Sequence, residues 1–184
     1  MAGKTMIGGV AYDITAGKTM IGGVAYNITA GKTQIDGVAY DIKFGADAFV
    51  IFQLGDIALK NGTLGRNNGF RFNRTKGIVL EPVYNEDEAM YEAAYVNIGV
   101  DFTNYSTLHI TCQAEGTTGT RRAGYKERNN TGIPALATAQ KIPTVSTELT
   151  FDISAVSGIK YVTLYNVTDR ISQLNAYCTS IYLD

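Results

Sequence analysis

The chain has 184 residues, room for one domain or a domain with an appendage at roughly 150 residues per domain. Its 16 Lys and Arg against 17 Asp and Glu leave a net charge of −1, which excludes the strong positive excess of a bulk nucleic-acid binder or a polybasic membrane-surface protein. Charged residues at 18% and hydrophobic ones at 45% exclude a disordered tail, and one His with two Cys leaves little material for acid–base or metal chemistry, so no enzyme, cofactor or metal is expected.

The chain opens on Met1-Ala2-Gly3-Lys4-Thr5, without the basic stretch and apolar core of a secretory signal, and none is expected. Residues 2–43 hold three copies of a 14-residue unit: AGKTMIGGVAYDIT (2–15), AGKTMIGGVAYNIT (16–29) and AGKTQIDGVAYDIK (30–43). Each has two strand-like runs around Gly8-Gly9, Gly22-Gly23 or Asp36-Gly37, pairs suited to a turn whose central residues both need φ > 0. A second glycine-containing turn is expected at each Thr-Ala-Gly join. Across a two-residue loop Ile7 falls opposite Val10, Met6 opposite Ala11, Thr5 opposite Tyr12 and Lys4 opposite Asp13.

Side chains alternate between faces, so Thr5, Ile7, Val10, Tyr12 and Ile14 share one and Lys4, Met6, Ala11 and Asp13 the other. Only the second face and the turns vary among the copies, as burial of the first face predicts and as recent duplication would also leave them. The expected assembly face is Ile7, Val10, Tyr12 and Ile14 with Ile21, Val24, Tyr26, Ile28, Ile35, Val38, Tyr40 and Ile42. One reading is a self-contained six-strand meander. The other packs this face against copies from other subunits in a stacked, intertwined or trimeric β structure. Short strands bury little area alone and an isolated hairpin is marginal in water, which favours assembly.

Gly-Lys-Thr occurs at 3–5, 17–19 and 31–33 without being a phosphate-binding loop. That motif needs a glycine five residues earlier, where Tyr12 and Tyr26 stand, and a helix to follow. The run from Lys4 to Ile14 and its two later copies instead resembles the (K/T)xxIGGxAYxI or YIGVNGVARKV repeats of virion proteins from phages and prophages of Gram-positive bacteria. There such repeats form tail-fibre or adhesin shafts and linkers, commonly ahead of a C-terminal β-sandwich. The resemblance implies a homo-oligomeric virion component, made in the host bacterial cytoplasm, with a trimer favoured and other virion proteins as partners. Tyr-Asp or Tyr-Asn replaces the usual Arg-Lys after the Ala, so no charge-based role carries over.

Residues 1–45 are thus expected to form the repeat module and 46–184 a β-sandwich, making the chain all-β. Strands are expected over 48–57 and 70–81. Period-two sets mark others: Val96, Ile98, Val100 and Phe102; Leu108, Ile110 and Cys112; Leu149, Phe151 and Ile153; Val162 and Leu164; and Tyr177, Thr179, Ile181 and Leu183. EDEAMYEAA (86–94) reads as a short turn or helix. The apolar run 46–59 is too short to span a membrane and contains Asp56. Cys112 and Cys178, each in an expected strand, read as buried free thiols in preference to a disulfide. The segments 100–108 (VDFTNYSTL) and 151–162 (FDISAVSGIKYV) resemble strand and turn phrases of jelly-roll domains in phage adhesins and carbohydrate-binding modules.

Between Glu115 and Thr147 a long Gly/Thr/Asn-rich loop is expected, carrying Arg121, Arg122, Tyr125, Lys126 and Arg128. One reading has it bind an anionic or hydroxylated host surface glycan, with Tyr125 stacking on a sugar and the arginines donating to its oxygens. The other makes it a solvated loop or a subunit contact. Glu86, Asp87 and Glu88 lack the ligand spacing of a calcium loop and also suit a solvated helix start. His109 is expected on an outer face. The glycosylation-like triplets at Asn61, Asn73 and Asn166 read as chance. The leading function is a non-enzymatic virion protein, a tail fibre or baseplate adhesin. A capsid decoration protein or head fibre competes with it, and a carbohydrate-binding module of a cell-wall enzyme is the rival from another class.

Overall fold

The structure, a computed structural model, describes residues 48–168 and 173–184 in full and, within the repeats, the backbone of residues 3–7, 10–14, 17–21, 24–28, 30–35 and 38–43. Two compact units divide the chain, Met1–Ala48 and Phe49–Asp184. Among the described residues all regular structure is β and every pairing is antiparallel.

In the first unit β1 (Gly3–Ile7) pairs with β2 (Val10–Ile14), β3 (Gly17–Ile21) with β4 (Val24–Ile28), and β5 (Ala30–Ile35) with β6 (Val38–Lys43). Ile7 stands opposite Val10, Ile21 opposite Val24 and Ile35 opposite Val38, with Thr–Tyr pairs two steps further on. Each hairpin is its own two-stranded sheet, and among the described residues no ladder joins one to the next. The turns expected at Gly8-Gly9, Gly22-Gly23 and Asp36-Gly37, and Thr15, Ala16 and Thr29 of the joins between copies, lie outside the described residues.

The second unit comprises β7 (Phe49–Gln53), β8 (Thr63–Asn68), β9 (Phe70–Asn73), β10 (Gly77–Leu80), β11 (Val83–Asn85), β12 (Met90–Glu92), β13 (Ala94–Asp101), β14 (Thr107–Ala114), β15 (Thr120–Lys126), β16 (Ala139–Lys141), β17 (Thr147–Asp152), β18 (Ile159–Val167) and β19 (Ala176–Leu183). One sheet runs β17-β14-β19-β10-β9, with β7 pairing the Ser180–Leu183 half of β19 beyond the reach of β10. The other runs β16-β15-β18-β13-β8, and β11 with β12 forms a separate hairpin. Alternation sends Val96, Ile98 and Val100, Leu108 and Ile110, Val162 and Leu164, and Ile181 and Leu183 into a single buried core drawn from both sheets. Burying each such side chain contributes about 1.5–3 kcal/mol, which makes this sandwich-like unit self-sufficient in apolar contacts.

Several expected elements differ. The run 70–81 is two strands, because Asn73 Oδ1 accepts the Thr75 and Lys76 N–H groups at 2.9 and 3.0 Å and reverses the chain. The run 48–57 is strand only to Gln53, whose N–H donates to Asp56 Oδ2 at 2.8 Å in a turn. EDEAMYEAA is a β-hairpin turn and β12, with no helix. Asn85 Oδ1 accepts the Asp87 N–H at 3.0 Å, and Tyr84 pairs across the ladder with Tyr91, which overrides the helix propensity of Glu and Ala. Cys112 and Cys178 are directly opposite one another on β14 and β19, both buried and both free thiols.

Candidate functional site

Four of the five residues expected on the recognition loop, Arg121, Arg122, Tyr125 and Lys126, lie on β15. Along β15 the alternation splits its cations, so that they do not form one patch. Arg121 is only 3% exposed; its Nε donates to Asn166 Oδ1 at 3.0 Å and its Nη1 to the Gly116 carbonyl at 2.9 Å. Tyr125 is also buried, edge-on to Phe102 at 5.4 Å between centroids. Arg122 Nη1 donates to the Pro134 carbonyl at 2.8 Å, and Lys126 Nζ to the Asn130 and Gly132 carbonyls at 2.6 and 3.1 Å. Burial lowers the Lys126 pKa. These two cations, with Asn97 donating to Asn129 Oδ1 at 3.1 Å, tie down the segment that follows the strand. Arg128 alone of the five is exposed. Backbone carbonyls thus take part of the donor capacity of Arg122 and Lys126, both of which stay partly exposed.

The assembly-face residues, Ile7 through Ile42, lie on strands whose backbone pairing is described, while their side chains lie outside the described residues. Glu86, Asp87 and Glu88 are exposed in the β11–β12 turn. His109 lies on the outer face of its sheet. Its Nδ1 is 3.1 Å from Glu148 Oε1, its Nε2 is 3.2 Å from Asp184 Oδ2, and its ring stacks on Tyr182 at 4.3 Å. Among the described residues no three His, Cys, Asp or Glu side chains are placed to hold a metal ion. Asn166 is fully buried, which removes it as a glycosylation acceptor in the folded chain.

A cleft of about 370 Å³ lies between β9 and the β11–β12 hairpin. It begins at Gly69, whose φ of +56° suits glycine and whose missing Cβ would sit 2.4 Å from the Glu81 carbonyl oxygen. That close approach lets the Glu81 N–H donate to the Gly69 carbonyl at 2.7 Å, and Pro82 then leads into the hairpin. Phe70, Val83, Tyr84 and Tyr91 form the apolar lining. Tyr84 and Tyr91 meet edge to face, with centroids 5.2 Å apart and planes at 63°. Val83 and Tyr84 remain 45% and 49% exposed.

The polar lining is a linked string. Arg71 Nε lies 3.3 Å from Glu81 Oε2, and Gln173 Nε2 donates to Glu81 Oε1 at 3.0 Å. Both carboxylate oxygens are engaged, and the charges of Arg71 and Glu81 cancel. Beneath the string, Asn166 Nδ2 donates to the carbonyls of Leu80 and Leu174 at 3.1 and 2.9 Å, the residues next to Glu81 and Gln173 in the chain. The hairpin is held by Asn68 Nδ2 donating to the Ala93 carbonyl at 3.1 Å and by Asn85 Nδ2 donating to Glu92 Oε1 at 2.8 Å.

A second cleft of about 460 Å³ lies along β8, β13 and β18, with exposed Leu64 and Ile159 on its rim. Its one carboxylate, Asp101, already accepts the Thr103 hydroxyl at 2.6 Å. The β9 cleft likewise has a single carboxylate, so neither presents the pair that glycoside hydrolysis uses. The sequence signal for the first was the mirror placement of Tyr84-Asn85 and Met90-Tyr91 about a four-residue turn, hidden by the helix formers between them. No known protein family, curated protein or solved structure matches the chain.

Proposed function

We propose that the chain is a non-enzymatic phage virion structural protein, a tail-fibre or baseplate adhesin whose hairpin repeats assemble subunits and whose sandwich faces outward to bind. The observation that carries this reading is the pairing of β1 with β2, β3 with β4 and β5 with β6 as three two-stranded sheets, with no ladder between them among the described residues. Every one of these strands has a ladder edge without a partner among the described residues, and a two-stranded hairpin is marginal in water. Packing against other copies supplies what each hairpin lacks. A homo-oligomer follows, with a trimer preferred and other virion proteins as neighbours.

The strand order of the second unit supports the jelly-roll part of this reading. Take β10 and β13 to β19 as eight strands in chain order. The first then pairs with the eighth, the second with the seventh, the third with the sixth and the fourth with the fifth. A long hairpin rolled up into two sheets has these neighbours, as jelly rolls of virion and lectin domains do. A carbohydrate-binding module would share the sandwich and the cleft but has no use for the repeats.

Immunogold labelling of intact particles released by the producing bacterium tests the proposal. Gold at fixed positions on the head or tail is expected, and label confined to the soluble fraction would contradict it.

A further inference from the structure

We propose that the cleft between β9 and the β11–β12 hairpin binds a neutral sugar unit of a surface glycan, a step that rests on the adhesin reading and gives it a site. A sugar ring has one face of C–H bonds and a rim of hydroxyls that both donate and accept. The cleft matches both halves. Tyr84 and Tyr91 meet edge to face, which leaves ring surface open on a hairpin where Tyr84 stays 49% exposed. The electron-rich face of an aromatic ring attracts polarised C–H groups.

Beside the rings, Arg71, Glu81 and Gln173 form one hydrogen-bonded string, with contacts of 3.3 and 3.0 Å. Planar side chains already oriented by one another offer donors and acceptors to hydroxyls at small entropic cost. The charge balance selects the ligand class. Arg71 would attract an anionic sugar or phosphate, and Glu81 bonded to it would repel the same group, so an uncharged unit is preferred. A volume of about 370 Å³ lies at the lower end of small-ligand sites, the size for one or two rings.

The floor is preformed. Asn166, fully buried, bonds the carbonyls beside both Glu81 and Gln173, and Gly69 admits the Glu81 backbone. Arg121, Arg122 and Lys126 lie elsewhere and are bonded within the fold.

The test is calorimetric titration of the full chain with tetrasaccharides of glucose, of galactose and of N-acetylglucosamine, with sialyllactose as the anionic control. At least one neutral tetrasaccharide is expected to bind saturably and more tightly than sialyllactose. Y84A and Y91A should each weaken it roughly tenfold, the order that losing a stacked ring costs. Y84F, which keeps the ring, should bind as the parent does, as should R128A. Absence of saturable binding by any neutral tetrasaccharide, preference for sialyllactose, or unchanged binding in folded Y84A would each overturn the proposal. Particle labelling without glycan binding would remove the cleft's role and leave the virion reading standing. Glycan binding by a chain missing from particles would do the reverse.

Discussion

Replacing Asn166 with Ala strikes the polar node beneath the cleft. The fully buried amide accepts from Arg121 Nε at 3.0 Å and donates to the Leu80 and Leu174 carbonyls at 3.1 and 2.9 Å. A hydrogen bond to a charged group contributes about 2 kcal/mol and a neutral one about 1 kcal/mol, and the partners stay behind in a site closed to water. The expected loss is about 4 kcal/mol, a large share of the roughly 5–15 kcal/mol that holds a typical domain together. At roughly 3–4 °C per kcal/mol for a domain of this size, the melting temperature falls by about 12–16 °C. Asn166→Asp still accepts from Arg121 but sets a carboxylate oxygen against the Leu80 and Leu174 carbonyl oxygens, so it should also melt below the parent. Thermal melts followed by circular dichroism at neutral pH provide the measurement. An Asn166→Ala protein melting within about 3 °C of the parent would refute the node as the support of this end of the sandwich.

Gly69→Ala should destabilise by about 2 kcal/mol, since a Cβ meets the Glu81 carbonyl at a φ of +56°, and should remove glycan binding; unaltered urea midpoint and binding would contradict this. Burial pushes the Cys112 thiol up to about 12 and Cys178 well above its ordinary value, so neither should react with Ellman's reagent at pH 8 until the chain is unfolded. Fast labelling of either in the native protein would count against the core assignment. The Thr103 and Ser154 hydroxyls hold the Asp101 and Asp152 carboxyls below the ordinary aspartate range, and the Tyr177 hydroxyl holds Glu115 below the ordinary glutamate range. Because these folded-state values are depressed, their contribution is complete above the ordinary values and is lost as pH falls through the lower folded ones. The urea midpoint should therefore drop on acidification from about pH 5 to about pH 3, less steeply in Glu115→Gln, and an identical slope in that variant would exclude Glu115 as a contributor.

The all-β character was legible because a half-buried strand alternates. Leu108, Ile110 and Cys112, or Val96, Ile98 and Val100, state their inward face in their spacing alone. β15 was hidden for the same reason, since Arg121 occupies an inward position beside Ala123 and Tyr125. Hydropathy periodicity cannot register a buried cation whose acceptor, Asn166, lies 45 positions away. The cleft was obscured in two ways. Glu and Ala around Tyr91 mimic a helix, while the floor depends on Gly69, Leu80 and Leu174, which only the tertiary fold brings together. Reading Asn73 as a turn former would have divided the run 70–81 correctly, because its side chain bonds the backbone two and three residues ahead.

The central claim is that the hairpin repeats are an assembly module, and the solution mass of the full chain tests it most directly. Sedimentation equilibrium should return a multiple of the 19.9 kDa chain, with three copies, about 60 kDa, as the expected species. A strictly monomeric protein of 19.9 kDa whose repeat amides are nonetheless protected from hydrogen exchange would contradict it, because the hairpins would then be stable without partners.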